Sequence, residues 1–286
     1  MTAPTLELIN LFYQKIKIDN VKILDFHKPF KYDNYKVEFL PADHVLGSSQ
    51  VLVSIDGYHI LYSSDFLLTP KTEIPSNIDI LIIDATYGSK SNIRPPQELI
   101  YETIFNLIND TLKKNLPIYI FTHQGKIQET MDLLFNEMSI HLPFLLSNNS
   151  LKLAKIYEKF GRNIGEYFSF DSDQGAEILK SKNFIGFVDS SNILLEKQFI
   201  LKNSFKIDLS GWIFKKPSIK IGKNHYSIAM SAHADFNDLM KYIEIIQPKF
   251  VITDNFRFGS AQEFCKEIEK NLHIQSIALP IKSVSK

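Results

Sequence analysis

Four side chains in this sequence stand in settings where they could do chemistry: His44, Asp65, Asp84 and His233. Histidines and carboxylates ligate metals and carry protons. His44 lies in a turn rich in small residues, with Asp43 before it and Gly47-Ser48 after it. An imidazole there projects clear of the backbone, as a metal ligand or as a polar surface group. Asp65 follows Ser63-Ser64, two small residues that leave the room a bridging metal carboxylate needs; an aspartate capping a turn reads the same. Asp84 closes the apolar run Ile80–Ile83 and precedes Thr86-Tyr87-Gly88. It is placed to orient or deprotonate a catalytic histidine, or to make an Asx turn as the chain leaves a sheet. His233 belongs to Ser231-Ala232-His233-Ala234-Asp235, where Asp235 suits the N-cap of a following helix and leaves the imidazole on a loop. The other six histidines lack such settings and read as surface or packing. Lys215, Lys216, Lys220 and Lys223 would either follow a phosphate backbone or form a solvated face.

The elements that position these groups can be read from periodicity and turn chemistry. Thr2–Lys15 has helical spacing of Leu6, Ile9, Leu11 and Phe12. Val21–Leu24 and Lys36–Leu40 read as strands, and Val51–Ile55 with His59–Ser63 as a hairpin about Asp56-Gly57. Ile78–Ile83 is a near-continuous apolar run, the pattern of a strand covered on both faces. Three of the candidate groups thus fall where strands end and loops begin, the usual place for a site on a rigid scaffold. After Pro95-Pro96 a long helix runs to about Lys114, and strand then alternates with helix: Ile118–Phe121, Lys126–Glu137, Pro143–Leu146, Ser150–Phe160. That is the texture of parallel βαβ units. Asp171–Lys182 reads as looser, and Phe184–Val188 and Phe199–Leu201 as strands. A helix over Asn237–Ile246, a strand over Phe250–Thr253, a helix over Ser260–Lys270 and a strand over Gln275–Ala278 complete the chain. The expected joints lie near Asn92–Pro96 and Asn203–Ile207.

With 286 residues the chain has room for one large or two medium domains, and 44% hydrophobic residues suffice to give each a core. The formal net charge of +0 means that nucleic acid, if bound, is met by a local patch rather than a global basic field. The single cysteine, Cys265, excludes an internal disulfide and a cysteine-based zinc cluster. The start MTAPTLELINLFYQ lacks the basic n-region of a signal peptide, and no apolar run reaches the ~20 residues of a membrane span. A cytoplasmic location without membrane contact is the expectation.

Taken in order, these stretches resemble the β-CASP branch of the metallo-β-lactamase-fold nucleases, which includes the cleavage-and-polyadenylation endonuclease subunit, RNase J, Artemis-like nucleases and short ligase-associated exonucleases. PADHVLGSSQVLVSIDG is similar to the family's histidine motif P-A-G-H-x-L-G-S/A, and LYSSDF to its L-Y-T/S-G-D-F/Y motif. IDATYG resembles the acidic E/D-S/A-T-Y/F-G signature, FTHQGKIQE the helix start F-A-x-G-R-x-Q-E, and SAHADF the second histidine motif; SGW recurs just before the latter in short members. The resemblance implies phosphodiester hydrolysis at two zinc ions that lower the pKa of water and stabilise charge on phosphoryl oxygens. It makes His44 a zinc ligand, Asp65 a bridging ligand, and Asp84 with His233 a catalytic pair aiding protonation of the leaving group. It implies RNA or single-stranded DNA as substrate, and mRNA 3'-end processing or exonuclease-like roles.

Two departures qualify that implication. The family's H-x-H-x-D-H motif does not occur in this sequence, and its place in relatives lies upstream of a stretch like MTAPTLEL. The family's last histidine is replaced in VITDNF by Asp254, the third metal position, or by Asn255. The fold expected is therefore α/β (αββα): an incomplete metallo-β-lactamase sandwich, 1–94 and 206–286, with an inserted α/β β-CASP-like domain, 95–205. Zinc binding is expected to be weak or absent, since catalytic zinc takes three protein ligands and this set is thin for two ions. The chain is expected to be inactive as it stands. The alternative is a degenerate, non-catalytic subunit of a processing complex that binds nucleic acid or an active paralogue. Loss of first strands would expose a sheet face, so a homodimer or a complex with a full-length paralogue is expected.

Overall fold

A computed structural model describes residues 1–12, 21–256 and 259–281. They form two compact units, one of Met1–Ile93 with Ala232–Lys286 and one of Arg94–Ser231.

The first unit opens with helix α1, Ala3–Phe12; residues 13–15 of the expected helix lie outside the described residues. Four strands follow as an antiparallel meander: β1 Phe30–Tyr32, β2 Tyr35–Pro41, β3 Ser49–Ile55 and β4 Tyr58–Tyr62. Asp56 and Gly57 at the β3–β4 turn both have positive φ, 49° and 82°, the conformation that makes Asp-Gly a tight hairpin turn. The expected strand at Val21–Leu24 is irregular instead, with only an isolated bridge from Phe26 to Phe39, and the short strand β1 was not anticipated. β5, Ile80–Ile83, pairs with β4 in parallel.

The second unit is a parallel α/β layer. Helix α2 (Gln97–Leu112) leads to β6 (Ile118–Thr122), and α3 (Lys126–Asp132) continues through a π-helical turn to Glu137. Then come β7 (Phe144–Leu146), α4 (Asn148–Lys159), β8 (Tyr167–Ser169), α5 (Asp173–Ser181), β9 (Ile185–Asp189), the short α6 (Ile193–Glu196), β10 (Phe205–Leu209), β11 (Ser218–Gly222) and β12 (His225–Ile228). The strand order is β11-β12-β10-β6-β9-β7-β8, parallel throughout except for the β11–β12 hairpin. β6, β7 and β9 are buried at every residue, as strands covered on both faces must be.

Three expectations are corrected here. Residues 206–231 belong with this unit, not with the first, because β10 pairs directly with β6 (Phe205 opposite Ile118) and β12 with β10; the second joint falls at 231/232. Phe199–Leu201 is a turn whose apolar side chains pack on the Tyr119, Phe170 and Phe184 cluster, so its hydrophobicity reflects core burial without strand pairing. Within the looser stretch Asp171–Lys182 lies α5, capped by Ser172, whose hydroxyl accepts from Gly175 N–H.

The chain returns to the first unit with α7 (Phe236–Ile246), β13 (Phe250–Asp254), α8 (Ala261–Leu272) and β14 (Ser276–Leu279). The sheet order is β1-β2-β3-β4-β5-β13-β14, its last three pairings parallel. One face is the core: Leu61, Leu81, Ile83 and Val251 meet Leu239, Tyr242 and Ile243 of α7 and Phe264 and Ile268 of α8. Each such side chain contributes about 1.5–3 kcal/mol by leaving water. β5 alternates rather than being buried on both faces: Leu81 and Ile83 are buried, Ile80 and Ile82 only half so. The same holds along the second face, where Val51, Val53, Ile60 and Ile252 are also half-buried.

Candidate metal centre

The candidate groups of the first unit sit at one end of its sheet, each fixed by local backbone chemistry. His44 lies in the β2–β3 loop, where Ser48 Oγ accepts from the N–H of His44 (3.1 Å) and of Val45 (3.2 Å). Gly47 has φ 81°, and a Cβ there would stand 2.8 Å from Pro4 Cβ, so glycine is required; its carbonyl accepts from the Thr2 and Thr5 hydroxyls. Asp65 follows β4. Ser63 and Ser64 do more than leave room: Ser63 Oγ accepts from Asp84 N–H (3.2 Å), and Ser64 Oγ donates to the Ser49 carbonyl (2.7 Å), tying three strand ends together. Asp84 ends β5 and is almost fully buried. Its Oδ1 accepts from the Thr86 N–H (2.8 Å) and hydroxyl (2.6 Å), and its Oδ2 faces His233 Nδ1 at 2.9 Å. The Asx turn and the histidine partnership, alternatives in the sequence, therefore coexist on the two oxygens. His233 precedes α7, whose N-cap is Asp235 accepting from Asp238 N–H (3.1 Å).

His44, Asp65 and His233 each present a ligand atom within 4.8 Å of the other two, the one such group of three among the described residues. On one ion with bonds of about 2.0–2.1 Å, ligand atoms lie roughly 3.3 Å apart in a tetrahedron, so small side-chain movements close this set. The rings of His44 and His233 meet edge to face, centroids 4.7 Å apart. Their proton positions follow from their partners. His44 Nδ1 lies 2.8 Å from the Ala232 carbonyl, which only accepts, so Nδ1 carries the hydrogen and Nε2 the lone pair. His233 Nδ1 donates likewise to Asp84. Two imidazoles held at Nδ1, with Nε2 as the ligand nitrogen, plus one carboxylate make a donor set that fits a zinc-type ion.

Asp254 does not join this group. It ends β13, and its Oδ1 accepts from Phe256 N–H at 2.8 Å. Asn255 is buried and donates to the Pro280 carbonyl (3.0 Å). The group differs from the expected set of His44, Asp65 and Asp254: His233 stands with His44 and Asp65 as well as with Asp84. Sequence reasoning missed the Ala232 carbonyl and the serine clamps; the small residues in SSD and SAH were the available signal.

Burial, and then the neighbouring His233, hold the His44 imidazole below its ordinary pKa. Burial opposes ionisation of Asp84, but the hydrogen bond and charge of His233 and the two bonds from Thr86 outweigh it and keep the carboxyl below the usual range. The His44 shift has a sign that can be tested. Unfolded, a histidine protonates near pH ~6.5; folded, His44 resists protonation, so the unfolded state binds more protons below that point. The apo-protein's stability should be full above pH ~6.5 and decline as pH falls toward the depressed folded value. His44→Gln should flatten this slope in urea titrations across the range, and an unchanged slope would show that the ring titrates normally.

No protein-family model matches the chain. It is 32% identical over 130 residues to an uncharacterized protein in lig 3'region of Acidianus ambivalens, covering 91% of that protein and 45% of this chain. It is 24% identical over 309 residues to an RNase J-like protein of Methanocaldococcus jannaschii, covering 90% of this chain and 72% of that one. A probable DNA ligase of Opitutus terrae matches at 24% over 244 residues, 80% of this chain, which spans only 22% of the ligase. Among solved structures, a protein of unknown function from Enterococcus faecalis V583 superposes over 98% of this chain and 73% of its own with a TM-score of 0.67 at 16% identity, a likeness of fold.

Proposed function

We propose that this chain, which belongs to one family with the Acidianus ambivalens protein and resembles the β-CASP metallo-β-lactamase-fold nucleases, is a nuclease-lineage protein with a metal-dependent phosphodiesterase centre. The observation that carries the reading is the convergence of His44, Asp65 and His233 beside the Asp84–His233 bond. By its donor set the centre takes zinc, and one ion rather than two, since it offers three ligands. The ion would supply Lewis acidity toward a phosphoryl oxygen and acidify water. The chain's own residues orient the set: the Ala232 carbonyl fixes the tautomer of His44, and the Asp84 carboxylate fixes that of His233. The substrate class is RNA or single-stranded DNA.

With one ion the centre has no second positive charge to clamp both the attacking and the leaving oxygen, so hydrolysis by these 286 residues is slow. A second reading, a non-catalytic subunit that binds nucleic acid or a paralogue, draws on the backbone-bound Asp254 and Asn255, which stand where the motif that this stretch resembles has a histidine. The half-buried apolar face of Val51, Val53, Ile60, Ile80, Ile82 and Ile252 supports a covering partner, a second copy or a paralogue. No helix among the described residues is long and apolar enough to cross a membrane.

The test joins metal counting to cleavage. Elemental analysis should find one zinc per chain, and labelled oligonucleotides should be cut slowly and only with metal. Asp84→Asn should lower zinc affinity by about 10–100-fold, the cost of losing an outer-shell partner, and lower cleavage with it. Metal binding without any cleavage would favour the non-catalytic reading; no metal binding would remove the centre.

A further inference from the structure

The second unit holds a cation that the proposed centre does not use. Lys126 opens α3 just past β6, half-buried, and its Nζ donates to the Met230 carbonyl at 2.5 Å. Among the described residues no carboxylate pairs with it. Burial, and then the positive charge of Arg94, pull its ammonium down to about 8. A partly buried charge without a counter-ion is costly, and a second cation beside it raises the cost. An anion arriving from outside the chain would offset the charge of Lys126.

The topology supplies a place for one. The connection leaving β6 runs to β7, beyond β9, whereas the one leaving β10 runs to β11, beyond β12 on the opposite side. In an open α/β sheet the carboxyl ends of two such neighbouring strands flank a switch-point crevice, the usual ligand site. Lys126 follows β6, and Met230 follows β12. The turn Ser210-Gly211-Trp212 follows β10, its Gly211 carbonyl accepting from Arg94 Nη1 at 3.4 Å. Next to Gly211, the Trp212 indole is 58% exposed, although tryptophan normally seeks cover. Two cations and an exposed indole at one strand end match the combination by which single strands are held, phosphate on cation and base on aromatic face.

We propose that this crevice is a subsite for single-stranded nucleic acid, in which Lys126 and Arg94 take one phosphate and Trp212 stacks an adjacent base. The assignment rests on the nucleic-acid reading of the metal centre, but it is tested without that centre's chemistry. Fluorescence anisotropy with labelled oligouridylate and oligothymidylate, in chelator and over a salt series, compares the wild-type chain with Lys126→Met, Lys126→Arg and Trp212→Ala. Lys126→Met should weaken binding roughly tenfold or more and reduce the slope of log K against log salt by about 0.7, one phosphate contact on a single strand. Lys126→Arg should keep the slope. Trp212→Ala should weaken binding at least about fivefold with the slope unchanged. Lys126→Met should also melt higher than wild type without nucleic acid, having lost an unpaired charge. Wild-type binding that survives both Lys126→Met and Trp212→Ala with the same slope would overturn the subsite and leave the nucleic-acid reading standing. No oligonucleotide binding by the wild-type chain would overturn both.

Discussion

Replacing His44 by alanine should lower zinc affinity by more than about a hundredfold, beyond the 10–100-fold typical of outer-shell losses, because in the proposed centre it removes a direct ligand. Asp65 and His233 would remain, one short of the three protein ligands a catalytic zinc takes. The backbone should hold, since the turn is fixed by Ser48 Oγ and by the Thr2 and Thr5 hydroxyls on the Gly47 carbonyl, none of which needs the imidazole. Competition against a chromophoric chelator measures the loss, with elemental analysis after dialysis as the check on stoichiometry. Asp65→Ala should behave in the same way. Asp254→Ala is the discriminating control: its carboxylate is bonded to Phe256 N–H and stands outside the group of three, so affinity should not change. A loss in Asp254→Ala equal to that in His44→Ala would return Asp254 to the ligand set and displace His233 from it.

What the sequence made legible divides along physical lines. Strands and helices with strong periodicity appeared where expected, as did the Asp56-Gly57 turn and the Asp235 cap, because each is dictated by chemistry within a few residues. His44, Asp65, Asp84 and His233 could be singled out because each stands beside small residues at an element's end. Their grouping is a long-range fact. His44 is bonded to a carbonyl 188 residues away and His233 to a carboxylate 149 residues away, and no local pattern encodes either bond. The misplaced joint has the same origin. Phe205–Leu209 carries an alternating pattern that would suit either unit, and its partner, β6, is chosen by pairing across more than eighty residues. Asp254 was grouped with the ligands through its place in a motif, whereas its side chain is taken up by its own backbone two residues on, as short acidic side chains at strand ends commonly are.

Gln50→Leu should destabilise the chain by about 3 kcal/mol, although leucine is the residue that hydrophobic patterning would choose there. Gln50 is fully buried on the core face of β3, opposite Leu40. Its Nε2 donates to the carbonyls of Pro41 (2.8 Å) and Glu73 (2.6 Å), and its Oε1 accepts from the Tyr242 hydroxyl. The amide therefore joins the end of β2, the irregular segment between β4 and β5, and the buried face of α7. Leucine would fill the volume and gain apolar burial, but it would leave the half-buried Glu73 carbonyl and the buried Tyr242 hydroxyl without these partners. The Pro41 carbonyl would keep its long contact with Glu73 N–H at 3.4 Å. An orphaned buried polar group costs about 1–3 kcal/mol, which sets the size of the effect. Urea titration should show a lower midpoint at an unchanged slope, the mark of lost stability without a change in the surface exposed. Adding Tyr242→Phe removes one of the two orphans, so the double variant should recover about 1–2 kcal/mol relative to Gln50→Leu alone. Strict additivity of the two changes, with no recovery, would mean that the amide and the hydroxyl do not depend on each other. Zinc affinity should move far less than in His44→Ala, because His44 keeps its bonds to Ser48 and to the Ala232 carbonyl. A loss of metal as large as that of His44→Ala would make the Gln50 junction part of what holds the centre together.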